Sequence, residues 1–270
     1  MECYKKYFHQ SHKTTMEQPT TMEQPTKTKR VRKKQEPLQP MYHEDMSKME
    51  IGIDEAGRGP LFGRVYSAGV LLPTPNQPIN EQGDTFDYSC LKDSKKFTSK
   101  KKLMEVAEYI KRNAIAWNVT YEDETTIDKI NILQATLQCM HRSIRGVIEK
   151  VENSHQDNHQ TGDYYLLVDG NQFKPFMRLN IETGMYQQVP YTCIKGGDNS
   201  YCSIAAASIL AKVERDTYIG LLCQEHNDLN EKYGISNNKG YGTKQHLEGI
   251  KKHGISKWHR KTYGICREYC

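Results

Sequence analysis

Two adjacent carboxylates, Asp54 and Glu55, follow the short apolar run 49–53 and precede Gly57, Arg58, Gly59 and Pro60. The run, interrupted at Glu50 and Gly52, reads as the start of a buried strand. Successive side chains on a strand point to opposite faces, so the two acids part company unless the backbone turns. Glycine permits positive φ and lets backbone come close to a ligand. A strand that ends in acid and then exposes loop N–H groups beside one cation, Arg58, suits a metal ion on one side and a phosphate or sugar on the other. A strand, a glycine turn and two solvated acids would carry the same letters, and this stretch alone leaves both readings open.

The context recurs twice. Asp169 ends the apolar run 164–168 and precedes Gly170, and Asp198 follows the run 191–195 with Gly196 and Gly197 between. A single aspartate there is commonly a turn residue, and Asp198 could simply cap the next helix. Strand ends in α/β sheets are nevertheless where ligands collect. Asp54, Glu55, Asp169 and Asp198 brought together would repel one another unless cations neutralised them. Oxygen-only donors favour Mg²⁺ or Mn²⁺, and paired metals on carboxylates suit in-line attack at phosphorus.

The elements that must position these acids can be read from periodicity. A second strand spans 65–72, and strands this close in sequence pair as neighbours. Residues 73–89 are loop-like. Thr98 or Ser99 caps a helix to about Arg112, with Leu103, Met104, Val106, Ala107 and Ile110 inward. A strand follows at 117–121, then a longer helix from about Thr126 to Lys150, whose Leu133, Leu137, Met140, Ile144 and Val147 form a core stripe. After a polar stretch at 151–162, strands at 164–168 and 191–195 flank a polar insertion, roughly 177–188. A long helix begins near Ser200, and its small residues 204–211 allow close packing on a sheet. Lys239-Gly240-Tyr241-Gly242-Thr243 leads into a short basic helix ending near His253. The alternation predicts an α/β protein: a mixed five-stranded sheet flanked by helices, with a small C-terminal helical segment.

Composition narrows the function classes. With 270 residues the chain can hold one sizeable domain. The mean hydropathy is −0.80, and no apolar run reaches the ~18 residues a membrane helix needs. The N-terminus lacks the apolar core of a secretory signal. Eight cysteines without C-x-x-C spacing argue against a zinc site and for reduced thiols in an intracellular, cytoplasmic protein. Residues 1–48 read as a disordered tail, with a tandem TMEQPT repeat and a basic run at 27–34 compatible with nuclear import or nucleic-acid tethering; residues 49–270 then form the folded domain. The net charge is +5, and residues 1–50 carry ten Lys/Arg against seven Asp/Glu, so any nucleic-acid surface on the domain must be a local patch. From Lys244 to Arg267, seven Lys/Arg (244, 251, 252, 257, 260, 261, 267) face one acid, Glu248, with Trp258 and His259 between them. Such a run suits phosphate contacts.

Six ordered motifs carry a family resemblance: Gly52-Ile53-Asp54-Glu55-Ala56-Gly57-Arg58-Gly59-Pro60-Leu61; Asp93-Ser94-Lys95-Lys96; residues 131–136; Val168-Asp169-Gly170-Asn171; residues 203–212 with Arg215-Asp216; and residues 239–243 with His246. Over about residues 49–263 the chain resembles ribonuclease HII, the type 2 ribonuclease H. The resemblance implies an RNase H-like fold, a monomer, and an Mg²⁺- or Mn²⁺-dependent endoribonuclease. Its substrates would be RNA–DNA hybrids and duplex DNA carrying single ribonucleotides, incised on the 5′ side to leave 5′-phosphate and 3′-hydroxyl ends. By motif position, Asp54, Glu55, Asp169 and Asp198 would bind metal. Gly57, Arg58 and Gly59 would contact the 2′-hydroxyl and neighbouring phosphate, and Tyr241 would stack on the adjacent sugar. Lys95 and Lys96 would approach a phosphate, and Asp216 would be no ligand. The chain departs from the family at Phe62, Arg64, Gly196 and Ser200, with Lys195 one place early, which touches substrate affinity more than catalysis. A DNA-processing nuclease of the same fold and a non-catalytic nucleic-acid binder are the competing classes. Only the 2′-hydroxyl tells RNA from DNA at one position.

Overall fold

Apolar strands with small residues between them pack into one sheet, and the computed structural model describes it over residues 37–154, 163–180 and 183–270. The tail expected at 1–48 falls outside the described residues up to 36. Residues 37–48 are described, and they lie against the domain: Gln39 N–H donates to Ser200 O at 2.8 Å, and Cys202 N–H donates to Gln39 O at 2.9 Å. Residues 37–270 form one compact unit.

The sheet is built from β1 (Met49–Ala56), β2 (Val65–Leu71), β3 (Ala116–Glu122), β4 (Tyr164–Asp169) and β7 (Tyr191–Ile194). Its strand order is β3-β2-β1-β4-β7. β1 pairs antiparallel with β2, and β2 antiparallel with β3, while β1–β4 and β4–β7 are parallel. The sheet is therefore mixed and five-stranded, as expected.

Both faces are covered. Ile51 and Ile53 of β1 join the core under helix α3 (Ile132–Ser154). Tyr66, Ala68 and Val70 of β2 join the core shared by α1 (Lys100–Asn113) and α4 (Cys202–Glu225). α4 comes so close to β1 that a Cβ on Gly52 would stand 2.1 Å from the Ser203 carbonyl carbon, which is the close approach its small residues allow.

Three differences from the expected elements have local causes. The single helix expected at about 126–150 is two, α2 (Glu124–Ile130) and α3, broken at Asn131, whose φ of 66° cannot continue a helix. Met104 is exposed, because Leu103, Val106, Ala107 and Ile110 already make the α1 stripe and residue 104 lies about 100° round from it. The insertion forms a hairpin, β5 (Met177–Leu179) with β6 (Tyr186–Gln188). It stands beside Asp163 and Tyr164, where β4 begins, rather than over the acids at its end. After α4 come α5 (Asn227–Tyr233), α6 (Ile235–Asn238) and α7 (Lys244–His253), packed as a small C-terminal cluster around Phe62, Leu229, Tyr233 and Ile250.

Candidate active site

Because β1, β4 and β7 run in one direction, their C-terminal ends share one edge of the sheet. Ile53 pairs with Val168, and Asp169 with Ile194. Asp54 and Glu55 therefore end beside Asp169, and Asp198 follows a few residues after β7. Asp198 lies in a single turn of 3-10 helix and does not cap α4, whose N-cap is Tyr201.

The environment of each acid is distinct. Asp54 is 4% exposed, and its Oδ1 accepts the Glu55 N–H at 2.7 Å. Burial, then repulsion from Glu55 and Asp169, pushes its carboxyl well above the usual range. Burial also raises Glu55, partly offset by Arg58, whose Nη1 lies 3.3 Å from Glu55 Oε1. Asp169 is raised by burial and by Asp198, while the Gly197 N–H, 2.7 Å from its Oδ1, pulls the other way. Asp198 is buried and accepts from Asn199 Nδ2 at 2.9 Å. Lys95 Nζ stands 3.4 Å from Asp198 Oδ2. Burial disfavours its charge, but Asp198, Asp93 and Asp54 outweigh that and hold the ammonium above its ordinary value.

A groove runs from Asp54, Glu55 and Asp169 to the C-terminal cluster, with Gly57, Lys95 and Tyr241 also in its lining and Asp198 outside it. Gly59 is Tyr241's neighbour, since a Cβ there would lie 3.6 Å from Tyr241 Cε1. Lys96 is directed to the Asn199 side-chain oxygen, away from the groove lining. Asp216 also lines the groove and pairs with Lys212 at 2.9 Å.

Sequence reasoning missed Lys212, Asn237, Asn238 and Lys239 as groove residues; helix spacing from Ser208 to Lys212 was the available signal for the first of them. It also placed Arg260 and His259 on the duplex-facing surface. Both are buried, at 0% and 1% exposure, because Arg260 finds backbone carbonyl partners and His259 a buried histidine. Lys244, Lys251, Lys252, Lys257, Lys261 and Arg267 remain exposed. Of the departures, Phe62 fills the C-terminal cluster, and Arg64 stacks between Tyr121 and Tyr218, 4.0 and 4.3 Å from their ring centroids.

The donor chemistry fits a hard divalent cation: four carboxylates, three with charge disfavoured by burial and repulsion, next to one ammonium. Among the described residues, no three such groups close on one point as a ready-made metal site.

A mixed sheet whose parallel strands end in clustered carboxylates is an architecture suited to metal-dependent hydrolysis. The model of the family Ribonuclease HII matches residues 51–266. The ribonuclease HII of Parabacteroides distasonis is 40% identical over 224 residues, covering 83% of this chain and 94% of that protein. The Neisseria meningitidis serogroup A enzyme is 36% identical over 216 residues, 80% of this chain and 92% of its own. The chain belongs to the ribonuclease HII family. In fold it is similar to the ribonuclease H2 of Pyrococcus horikoshii, with a TM-score of 0.53 at 22% identity over 82% of this chain and 96% of that one. It is likewise similar to Bst-RNase HIII in complex with Mn²⁺, with a TM-score of 0.54 at 16% identity over 83% and 69%. No helix among the described residues is long and apolar enough to cross a membrane.

Proposed function

We propose that this protein is a monomeric cytoplasmic endoribonuclease that hydrolyses the RNA strand of RNA–DNA hybrids and incises 5′ of single ribonucleotides in duplex DNA. One observation carries the reading: the mutually repelling acids Asp54, Glu55 and Asp169 share one groove with Gly57, where the glycine loop begins, and with Tyr241. Asp54, Glu55, Asp169 and Asp198 would hold Mg²⁺ or Mn²⁺. Divalent metal held by these residues would supply charge stabilisation for in-line attack at phosphorus.

The chain's own residues do the selecting. Gly57, Arg58 and Gly59 offer backbone N–H groups to the 2′-hydroxyl and the adjacent phosphate, and Gly57 has the positive φ, 97°, that such a turn needs. The half-exposed Tyr241 ring, beside Gly59, stacks on the next sugar, where a 2′-hydroxyl would crowd it. Lys95, held by Asp198, meets phosphate charge at the groove rim, and the exposed lysines of 244–261 follow the duplex backbone. Lys95 also screens the acids in the free protein.

The test is cleavage of a labelled DNA duplex carrying one ribonucleotide, with Mg²⁺ and then Mn²⁺, beside an all-DNA control. A cut immediately 5′ of the ribonucleotide, leaving 5′-phosphate and 3′-hydroxyl ends, with the control intact, supports the reading. Degradation of a long hybrid without that cut would remove the junction-sensing role of Tyr241. Equal cleavage of the all-DNA duplex would replace the reading with a DNA nuclease.

A further inference from the structure

The Gly57–Gly59 loop and Tyr241 come from opposite ends of the domain's sequence, yet the short segment 256–260 underlies both. Arg260 is fully buried. Its Nε donates to Gly63 O at 2.8 Å, its Nη1 to Pro60 O at 2.8 Å and Arg58 O at 3.0 Å, and its Nη2 to Gly57 O at 2.6 Å. Two of the four acceptors belong to the loop, and the other two lie just after it, before β2 begins. In a trans peptide the N–H points opposite to the carbonyl before it, and the described peptides are trans. With the Gly57 and Arg58 carbonyls turned to the guanidinium, the N–H groups of Arg58 and Gly59 point away from it. A second buried cation, Arg215 of α4, donates to Phe62 O at 3.3 Å and Lys239 O at 2.9 Å. It ties the loop to the residues just ahead of Tyr241.

The residue before Arg260 reaches Tyr241 through a second histidine. His259 Nδ1 accepts the Ser256 backbone N–H at 2.9 Å, so a neutral His259 carries its proton on Nε2. That proton faces His246 Nε2 at 3.0 Å. His246 Nε2 is then the acceptor, and its own proton sits on Nδ1, which donates to Tyr241 O at 2.9 Å. Each proton in the chain Ser256–His259–His246–Tyr241 has one place. Burial favours these neutral forms: it lowers His246 and, with His246 beside it, pushes His259 down to about 3. Phe62 closes the network, its ring 5.1 Å from that of His259.

We propose that Arg260 and the His259–His246 pair are positioning residues that hold the Gly57–Gly59 loop and Tyr241 at one spacing, and that this spacing makes cleavage selective for the junction between ribonucleotide and deoxyribonucleotide. The proposal rests on the reading of the loop and Tyr241 given above. A long hybrid presents the loop with a 2′-hydroxyl at every step and does not need Tyr241 to recognise a deoxyribose. The junction needs both.

The test compares kcat/KM on a single-ribonucleotide duplex and on a long RNA–DNA hybrid for Arg260→Lys, His246→Leu and His246→Asn. A misplacement near 1 Å can cost about 100-fold in rate. His246→Leu, which frees Tyr241, is expected to lose roughly that on the junction substrate and less than about threefold on the hybrid, and Arg260→Lys, which moves the loop that both substrates use, to lose on both but more on the junction. His246→Asn, whose amide nitrogen takes the place of the Nδ1–H donor, is expected to retain the ratio. If Arg260→Lys fails to fold, as judged by circular dichroism, His246→Leu carries the test alone, since it puts an apolar group in a fully buried site. Equal losses on both substrates that follow the folded fraction would overturn the proposal, as would a ratio unchanged in His246→Leu. A wild-type protein without junction preference would remove the underlying reading, and the proposal with it.

Discussion

Asp54→Asn is expected to stabilise the metal-free protein while abolishing cleavage. Asparagine has the shape of the protonated acid, and its Oδ1 can still accept the Glu55 N–H that now lies at 2.7 Å. It removes a charge that burial, Glu55 and Asp169 all disfavour. Like charges separated by several ångströms at an effective dielectric near 20 repel by about 2 kcal/mol. Two such neighbours, less about one offset by Lys95, leave roughly 2 kcal/mol, or a rise of about 4–8 °C in Tm for a domain of this size. The sign follows from the direction of the shift. A carboxyl raised in the folded state stabilises the fold fully below its unfolded value, and loses that contribution as pH rises through its folded value. The two proteins should therefore melt together near pH 3–4 and diverge as the pH rises towards 8. Saturating Mg²⁺ should reverse the order, since a ligand at about 100 times its Kd adds about 2.7 kcal/mol to the parent alone. Thermal melts in chelator and in Mg²⁺ across this pH range would measure all three effects. A variant less stable than its parent in chelator at pH 8 would refute the idea of an uncompensated acid cluster, and retained cleavage would refute the role of Asp54.

Two further outcomes follow from local geometry. Gly57→Ala should lose about 2–4 kcal/mol of stability in urea titrations, and most cleavage with it. A Cβ there would sit 2.3 Å from Arg215 Nε and 2.9 Å from the Arg64 carbonyl oxygen, at a φ of 97°; a variant as stable as the parent would mean that the loop can move. Removing residues 1–36 should leave cleavage of short duplexes within about twofold at moderate salt, where tail-phosphate contacts are screened. Removing residues 1–48 should lower Tm as well, because Glu50, only 3% exposed, would lose the Tyr42 N–H, His43 N–H and His43 Nδ1 groups that now satisfy its carboxylate. Equal Tm values for the two truncations would show that residues 37–48 contribute nothing to the fold.

What the sequence determined by itself was local. Apolar runs at 49–53, 65–72 and 164–168 specify strands, because backbone buried on both faces needs apolar neighbours and ladder partners. Ser99 specifies a helix start, because its side chain can accept the Lys102 N–H. Acid beside glycine at 54–57, 169–170 and 197–198 marks strand ends where ligands can sit. Tertiary structure decided which of these meet. The parallel pairing of β1, β4 and β7 gathers Asp54, Glu55, Asp169 and Asp198 at one edge, and no residue among the four encodes that partner order. It also decided the fate of the charges after residue 243. Lys257 and Lys261 face water, while Arg260 between them is buried. An arginine's five donors are satisfied equally well by phosphates or by carbonyls, and the carbonyls that take them, at Gly57, Arg58, Pro60 and Gly63, lie some two hundred residues earlier in the chain. Whether an arginine in this run faces water or is buried against the 57–63 carbonyls is decided only once the two ends of the chain have met.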